Sequence, residues 1–414
     1  MPTRFLLVST HTEQVTGYSK VAYNMLKQLS TLHPLVKTFH FGFQRTPVNI
    51  QKPSRPLQNV IQYDAAANEM PREQGFGFNK IKEYVEMVNP DIIMIYNDPI
   101  VVNQFIEKLK DGEKTYKLWV YLDQVYPRAE MSLLRNIENF SDRIFCFTQS
   151  WMEHLKTRLT TPNIPFSVLE HGVDYLTFRR LPDAERGNVR KQLNIPMDAK
   201  VILNMNRNSQ RKRLDITIMA FAQLLKKYPD VHYQLLMITA VRPETGAFYH
   251  PLAVFMAELE RLGLDPIKYG TRLSVVDTSP PNAYYNDESI NQLYNVADVG
   301  INTSSGEGFG LCQIEHMATG APQVVFDIGG YRAFMNDDNG VLIPPTILSY
   351  LPMTAGVGMI EQVAPVEAVV SGIETAFKMA ENEETRKACM RSAIERPWSK
   401  VCDQFLEEVV NFSK

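Results

Sequence analysis

Cysteine is scarce in this chain of 414 residues: Cys146, Cys312, Cys389 and Cys402 are all there are. They are widely separated, so neither a disulfide framework nor a metal-binding ribbon is available, and reduced thiols in a cytoplasmic protein are expected. Excess charge is missing too. A formal net charge of -3 gives no global attraction to nucleic acid or to an acidic membrane. No apolar run is long enough to span a bilayer. Phe5 to Val8 is too short for a signal-peptide core and reads as a first strand; peripheral membrane contact stays open. Gly-x-Gly-x-x-Gly does not occur, which counts against a dehydrogenase, and there is no Gly-x-Ser-x-Gly elbow. No histidine and carboxylate cluster has metal-ligand spacing, so no metal and no cofactor are expected. What remains is globular, 44% hydrophobic and 21% charged, and long enough that two domains are the default.

Short apolar strands alternate with helical stretches along the chain. Arg4 to Ser9, Asp91 to Tyr96, Leu118 to Leu122, Arg143 to Phe147 and Ser167 to Leu169 read as strands. Gly17 opens a helix whose apolar face carries Val21, Ala22, Met25, Leu26 and Leu29, and Phe78 to Val88 reads as another. The chain turns polar around Phe178 to Gly187, which sets the expected boundary: an N-terminal domain over 1–182 and a second over 183–397. The alternation restarts with strand Val201 to Met205, helix Leu214 to Lys227, strand Tyr233 to Thr239 and helix Pro251 to Leu262. Strand Leu273 to Val276, helix Glu288 to Val296 and strand Val299 to Asn302 follow. Residues 279–288 and 344–364 carry prolines and read as loops or insertions. Such alternation predicts α/β architecture, two doubly wound parallel sheets, with a ligand cleft at the carboxyl ends of the strands.

One segment carries most of the chemistry. Glu307 and Glu315 stand eight positions apart around Gly308, Phe309 and Gly310, with a helix from Leu311 to a stop at Gly320-Ala321-Pro322 and a buried strand from Gln323 to Phe326. Glycine lets backbone N–H groups come close to a ligand, and a helix N-terminus suits phosphate. Ionised carboxylates only accept hydrogen bonds, which suits sugar hydroxyls. Together these point to a nucleotide sugar, against the plainer reading of surface acids on a strand-loop-helix. A second segment, Asn206-Arg-Asn-Ser-Gln-Arg-Lys-Arg213, places cations where a helix begins, an unfavourable location unless an anion is bound. Arg207 and Lys212 could converge on a pyrophosphate; the plainer reading is a solvated basic turn relieved by Asp215. Weaker signals are the helix start at Gly17, Asp123 after a strand, and His171, whose plainer reading is a loop histidine setting interdomain geometry. His316 is expected on the exposed side of its helix, and Trp398 with Val401 to Val410 on a packing face.

These residues resemble the retaining GT-B glycosyltransferases of glycosyltransferase family 4 over most of the chain, most strongly from Val201 to Pro345. Glu307-Gly-Phe-Gly-Leu-Cys-Gln-Ile-Glu315 is similar to the family's Glu-x7-Glu signature, and Arg207 with Lys212 to its Arg-x4-Lys clamp. Asn295-Val-Ala-Asp298, Asp327-Ile-Gly-Gly330 and His171-Gly-Val-Asp174 fall where related turns do. The resemblance implies two Rossmann-like domains facing a central cleft, with the segment 398–414 crossing back to the first. It implies that Arg207 and Lys212 hold the donor diphosphate, that Gly308, Phe309, Gly310 and Leu311 cover phosphate and sugar, that Glu315 takes the ribose and that Glu307 takes the transferred sugar. Two departures stand out: Thr16-Gly17 replaces a Gly-Gly pair, and Leu122-Asp123 replaces a His-Asp pair. Asp123 or His11 would then compensate for the missing histidine, and Asp123 and His171 are the candidate sugar-pocket residues. The expected partners are a nucleotide sugar and a hydroxyl acceptor such as a glycan, with no nucleic acid; monomer and homodimer both stay open. GDP-mannose is the first donor to test because mannosyltransferases are common in that family; UDP-glucose and UDP-N-acetylglucosamine stay open. A catalytically silent binding protein and a Rossmann dehydrogenase are the alternatives.

Overall fold

The computed structural model describes residues 1–45, 55–112, 114–160, 164–279, 285–350 and 360–412. The chain divides into two compact units. The first contains Met1–Gly172, Leu351–Ile360 and Trp398–Lys414; the second contains Val173–Tyr350 and Glu361–Pro397. The division falls at Gly172, ten residues before the boundary at 182 that the sequence suggests.

The first unit is built on seven strands: β1 (Thr3–Thr10), β2 (Val36–Phe43), β3 (Val60–Asp64), β4 (Ile92–Asn97), β5 (Lys117–Leu122), β6 (Arg143–Cys146) and β7 (Phe166–Val168). Their order is β3-β2-β1-β4-β5-β6-β7 and every pairing is parallel. The direction in which successive strands are added reverses between β1 and β4, the switch point at which open parallel sheets present their loops to ligands. Because both faces are covered, the strands are continuously apolar: Phe5, Leu6, Leu7, Val8 and Ile92, Ile93, Met94, Ile95 are all inaccessible to solvent. The helix Trp398–Asn411 belongs to this unit. Its Phe405 ring meets Phe5, Trp119 and Phe145 at centroid distances of 5.8, 6.4 and 5.7 Å, so the end of the chain seals one face of the sheet.

The second unit repeats the plan with β8 (Lys200–Asn204), β9 (Tyr233–Thr239), β10 (Leu273–Asp277), β11 (Val299–Asn302), β12 (Gln323–Phe326) and β13 (Gly340–Ile343). The order is β10-β9-β8-β11-β12-β13, again parallel throughout. Its switch point lies between β8 and β11, paired through Ile202 with Val299 and Leu203 with Gly300. Gly300 leaves room for Gln323: a Cβ would lie 2.0 Å from that side chain, which would have to move.

Some sequence expectations need correction. The stretch 344–364 is not merely a loop: β14 (Ile347–Tyr350) and β15 (Ile360–Val363) form a two-stranded sheet. Residues 351–359 of that stretch and 280–284 of 279–288 lie outside the described residues. β2, β3 and β13 were not distinguished in the sequence. Among the described residues, no helix is long and apolar enough to cross a membrane.

Candidate functional site

The loops after β8 and β11 meet at the second unit's switch point, and each is held by buried polar side chains. Asn204, which ends β8, and Asn206 and Asn208 beyond it are all buried. Asn206 Nδ2 donates to Asn204 Oδ1 at 2.8 Å, and Asn208 Nδ2 donates to the carbonyls of Ala240 and Tyr249, both at 2.8 Å. Alternate residues are thereby pinned inward, and Arg207 between them is exposed. A single 3-10 turn, Gln210–Lys212, leads to Arg213 in the left-handed region and to the helix Leu214–Lys227.

The cations of this loop have separate tasks. Arg213 pairs with Asp215 at 2.9 Å and approaches Glu361 at 3.6 Å, so the relief by Asp215 is real for Arg213. Arg211 donates to the carbonyl of Gly306 and lies 3.7 Å from Glu307. Lys212 is 9% exposed, and its Nζ donates to Glu307 Oε2 at 2.5 Å. Burial lowers the Lys212 ammonium from its ordinary value, more than Glu307 raises it. Burial likewise acts to raise the Glu307 carboxyl, but Lys212 and Arg211 outweigh it and hold the group below the ordinary range. Glu307 is thus an ionised acceptor next to a cation that has lost solvent and gains from added negative charge.

Residues around Glu307 fix it in place. Asn302, the last residue of β11, donates to Tyr331 Oη at 2.8 Å, to Gln313 Oε1 at 3.2 Å and to Glu307 Oε2 at 3.4 Å. Gly310 has φ +101°, and a Cβ there would lie 2.5 Å from the Tyr331 ring, so both backbone and space demand glycine. Leu311 begins a seven-residue helix, Leu311–Met317. Phe309 is buried against Phe334, with centroids 5.2 Å apart. Glu315 lies inside the helix as expected, 4% exposed, and accepts from Tyr294 Oη at 3.1 Å. Glu361, in the stretch read as an insertion, accepts from Ser305 Oγ at 3.0 Å and Ser349 Oγ at 2.6 Å, tying β15 to the Glu307 loop.

His316 reverses expectation. It is 2% exposed, stacks on Tyr294 at 5.2 Å and shares a hydrogen bond with Gln323 at 3.2 Å. Burial pushes its pKa down to about 3. A seven-residue helix packed on both sides has no solvated face, which a periodicity argument does not reveal.

In the first unit, Gly17 begins the helix Gly17–Ser30, capped by Thr16 Oγ1 accepting from Ser19 N at 3.1 Å. The next residue, Tyr18, donates to Asp123 Oδ2 at 2.6 Å. Gly17 and Asp123 therefore share one end of the first sheet. His171 does not join them. It is 3% exposed, packed on Phe147 at 4.3 Å and stacked on Trp398 at 6.2 Å, and desolvation lowers it to about 3. In the first unit His171 is a buried ring packed among aromatic side chains, the arrangement of its plainer reading as a loop histidine. His11 is also buried, with its Nδ1 accepting from Glu13 N at 3.2 Å.

Asn302, Gln313, Tyr294, Tyr331, Tyr18 and Glu361 were missed as supporting residues. A polar residue ending an otherwise apolar strand was the available signal for Asn302; the tyrosines carried none.

Two parallel-sheet Rossmann-like units, the second with acidic and basic loops at its switch point, have the GT-B glycosyltransferase fold. Residues 199–349 match the family described as Glycosyl transferases group 1. Among solved structures, the chain is similar to sucrose-phosphate synthase from Thermosynechococcus elongatus, with TM-score 0.69, 16% identity and 98% of each chain covered. It is also similar to Anabaena HepE in complex with UDP and glucose, with TM-score 0.67, 14% identity and 99% and 100% covered. Among sequence relatives, D-inositol 3-phosphate glycosyltransferase from Corynebacterium kroppenstedtii is 26% identical over 53% of this chain and 46% of its own length. The enzyme of that name from Corynebacterium urealyticum is 31% identical over 53% and 49%. The chain therefore spans about half the length of the curated relatives it matches.

Proposed function

We propose that this protein is a retaining glycosyltransferase that moves a hexose from a nucleotide-sugar donor to a hydroxyl acceptor, a glycan or another alcohol. The observation that carries the reading is the 2.5 Å Lys212–Glu307 contact, with Arg211 beside it, between loops that leave adjacent parallel strands. A diphosphate leaving group gathers negative charge as the glycosidic bond breaks, and pre-set cations stabilise that charge. Lys212, with Arg207 reaching from the exposed turn, serves this role. Glu307 accepts from hydroxyls of the transferred sugar, Glu315 from the ribose, and the backbone from Gly308 to Leu311 covers the phosphates. Asp123, oriented by Tyr18, and Gly17 are candidate ligand contacts at the end of the first sheet. Retention follows from front-face attack, with the departing diphosphate helping to deprotonate the acceptor; no protein nucleophile is assigned. No metal is assigned a part, because the cations of the β8 loop supply the positive charge.

GDP-mannose is the proposed donor on the family resemblance. HepE, by contrast, is described with UDP and glucose, so base and sugar are tested together. Release of nucleoside diphosphate is measured from GDP-mannose, UDP-glucose and UDP-N-acetylglucosamine, with the anomeric configuration of the product read by NMR. Failure to release diphosphate from any donor, despite tight binding, would favour a silent binding protein instead.

A further inference from the structure

A second cationic feature lies at the opposite edge of the second unit's sheet. Arg180, Arg186 and Arg386 line a cavity of about 70 Å³ together with Asn295, Asp298, Thr319, Gly320 and Ala321. Asp298 immediately precedes β11 and Ala321 lies just before β12, whereas Lys212 and Glu307 follow strand ends; the four residues of β11 put roughly 13 Å between the two edges.

The charges in this cavity do not balance. Asp298 is already held by both oxygens on Arg190 Nη2, at 3.0 and 3.1 Å. Arg186 donates its Nε to the Asn295 carbonyl at 2.9 Å and reaches Asp298 only at 3.8 Å. Arg180 and Arg186 contact Asp183 at 3.5 and 3.3 Å, but Asp183 is 86% exposed and screened by solvent. Arg386 packs over Gly320, where a Cβ would lie 3.5 Å from its own Cβ, and has no carboxylate partner among the described residues. Three guanidiniums (Arg180, Arg186, Arg386) and one carboxylate (Asp298) line the cavity, and that carboxylate is already paired with Arg190 behind it. Burial, and then the like charges of Arg186 and Arg386, lower the Arg180 pKa despite Asp183. Gathering like charges around a cavity is unfavourable without a counter-ion. Planar guanidiniums bind the oxygens of a phosphoryl group two at a time.

We infer that the Arg180/Arg186/Arg386 cavity is a binding site for a phosphoryl dianion, distinct from the donor site. Its residues are not those of the transferase reading, and the two stand or fall separately. The test is titration calorimetry on the full chain with inorganic phosphate, glucose 6-phosphate and UDP as probes. Inorganic phosphate should bind the wild type, and should bind Lys212→Ala equally well. Arg386→Gln and Arg180→Gln should weaken it by roughly ten-fold or more, and Arg386→Lys by less, because charge is kept and the planar fork is lost. Far-UV circular dichroism and the thermal midpoint without phosphate check that each variant is folded. Tighter binding of glucose 6-phosphate than of phosphate would identify an ester as the source; equal or weaker binding would identify the free ion. Absence of phosphate binding to the wild type, affinity unchanged in both glutamine variants, or affinity lost in Lys212→Ala would each overturn the proposal.

Discussion

The proposed diphosphate site depends on a few side chains of the second unit. Lys212 has little solvent to share its charge, so its interaction with an added anion is strong. Lys212→Ala should lower the rate of nucleoside diphosphate release by roughly 100-fold or more, with the circular dichroism spectrum unchanged. An unaltered rate would remove Lys212 from the mechanism. Gly310 sits where neither φ nor space admits a side chain. Gly310→Ala should displace Tyr331 and cost about 1–3 kcal/mol of stability, measured by denaturant unfolding, together with weaker donor binding in calorimetry. The sequence showed Glu307, Gly310 and Glu315 because their spacing is local. Tyr331 escaped it because it meets Asn302 only through the pairing of β11 with β12.

At the scale of elements, the helix Trp398–Asn411 is held by aromatic contact rather than by chain connectivity. Phe405 is 1% exposed among Phe5, Trp119 and Phe145. Phe405→Ala should destabilise the first unit by about 3–5 kcal/mol through the cavity it leaves, seen as an earlier denaturant midpoint, whereas substitution of exposed Lys400 should change little. The periodicity of this helix was legible because its apolar face is continuous. The strands β14 and β15 were not, because prolines masked them and because Ile347, Leu348 and Tyr350 remain exposed. Glu361 on β15 nevertheless steadies the Glu307 loop.

At the scale of the whole molecule, His40, His171 and His316 are buried and neutral, each lowered by desolvation to about 3 from an ordinary 6.5. Below pH 6.5 the unfolded chain takes up protons that the folded chain refuses, so stability is full above that pH and falls as the pH drops toward 3. Each histidine contributes a slope of about 1.4 kcal/mol per pH unit in that window. Urea unfolding at pH 7.0 and 5.5 should show a marked loss of stability at the lower pH. His316→Gln should reduce the difference by one histidine's share, and an unchanged difference would mean that His316 binds protons equally well in the folded and unfolded chains.

The amino-acid sequence by itself determined the alternation of strands and helices, the ends of several second-unit elements from Leu214–Lys227 to Gln323–Phe326, and the local spacing of Arg207, Lys212, Glu307 and Glu315, because periodicity and turn chemistry act within a few residues. Tertiary structure alone decided the strand order, the meeting of Lys212 with Glu307, the burial of His171 and His316, and the gathering of Arg180, Arg186 and Arg386. Those features join residues tens to hundreds of positions apart. Their energies come from desolvation and packing, which exist only after the chain has closed around them.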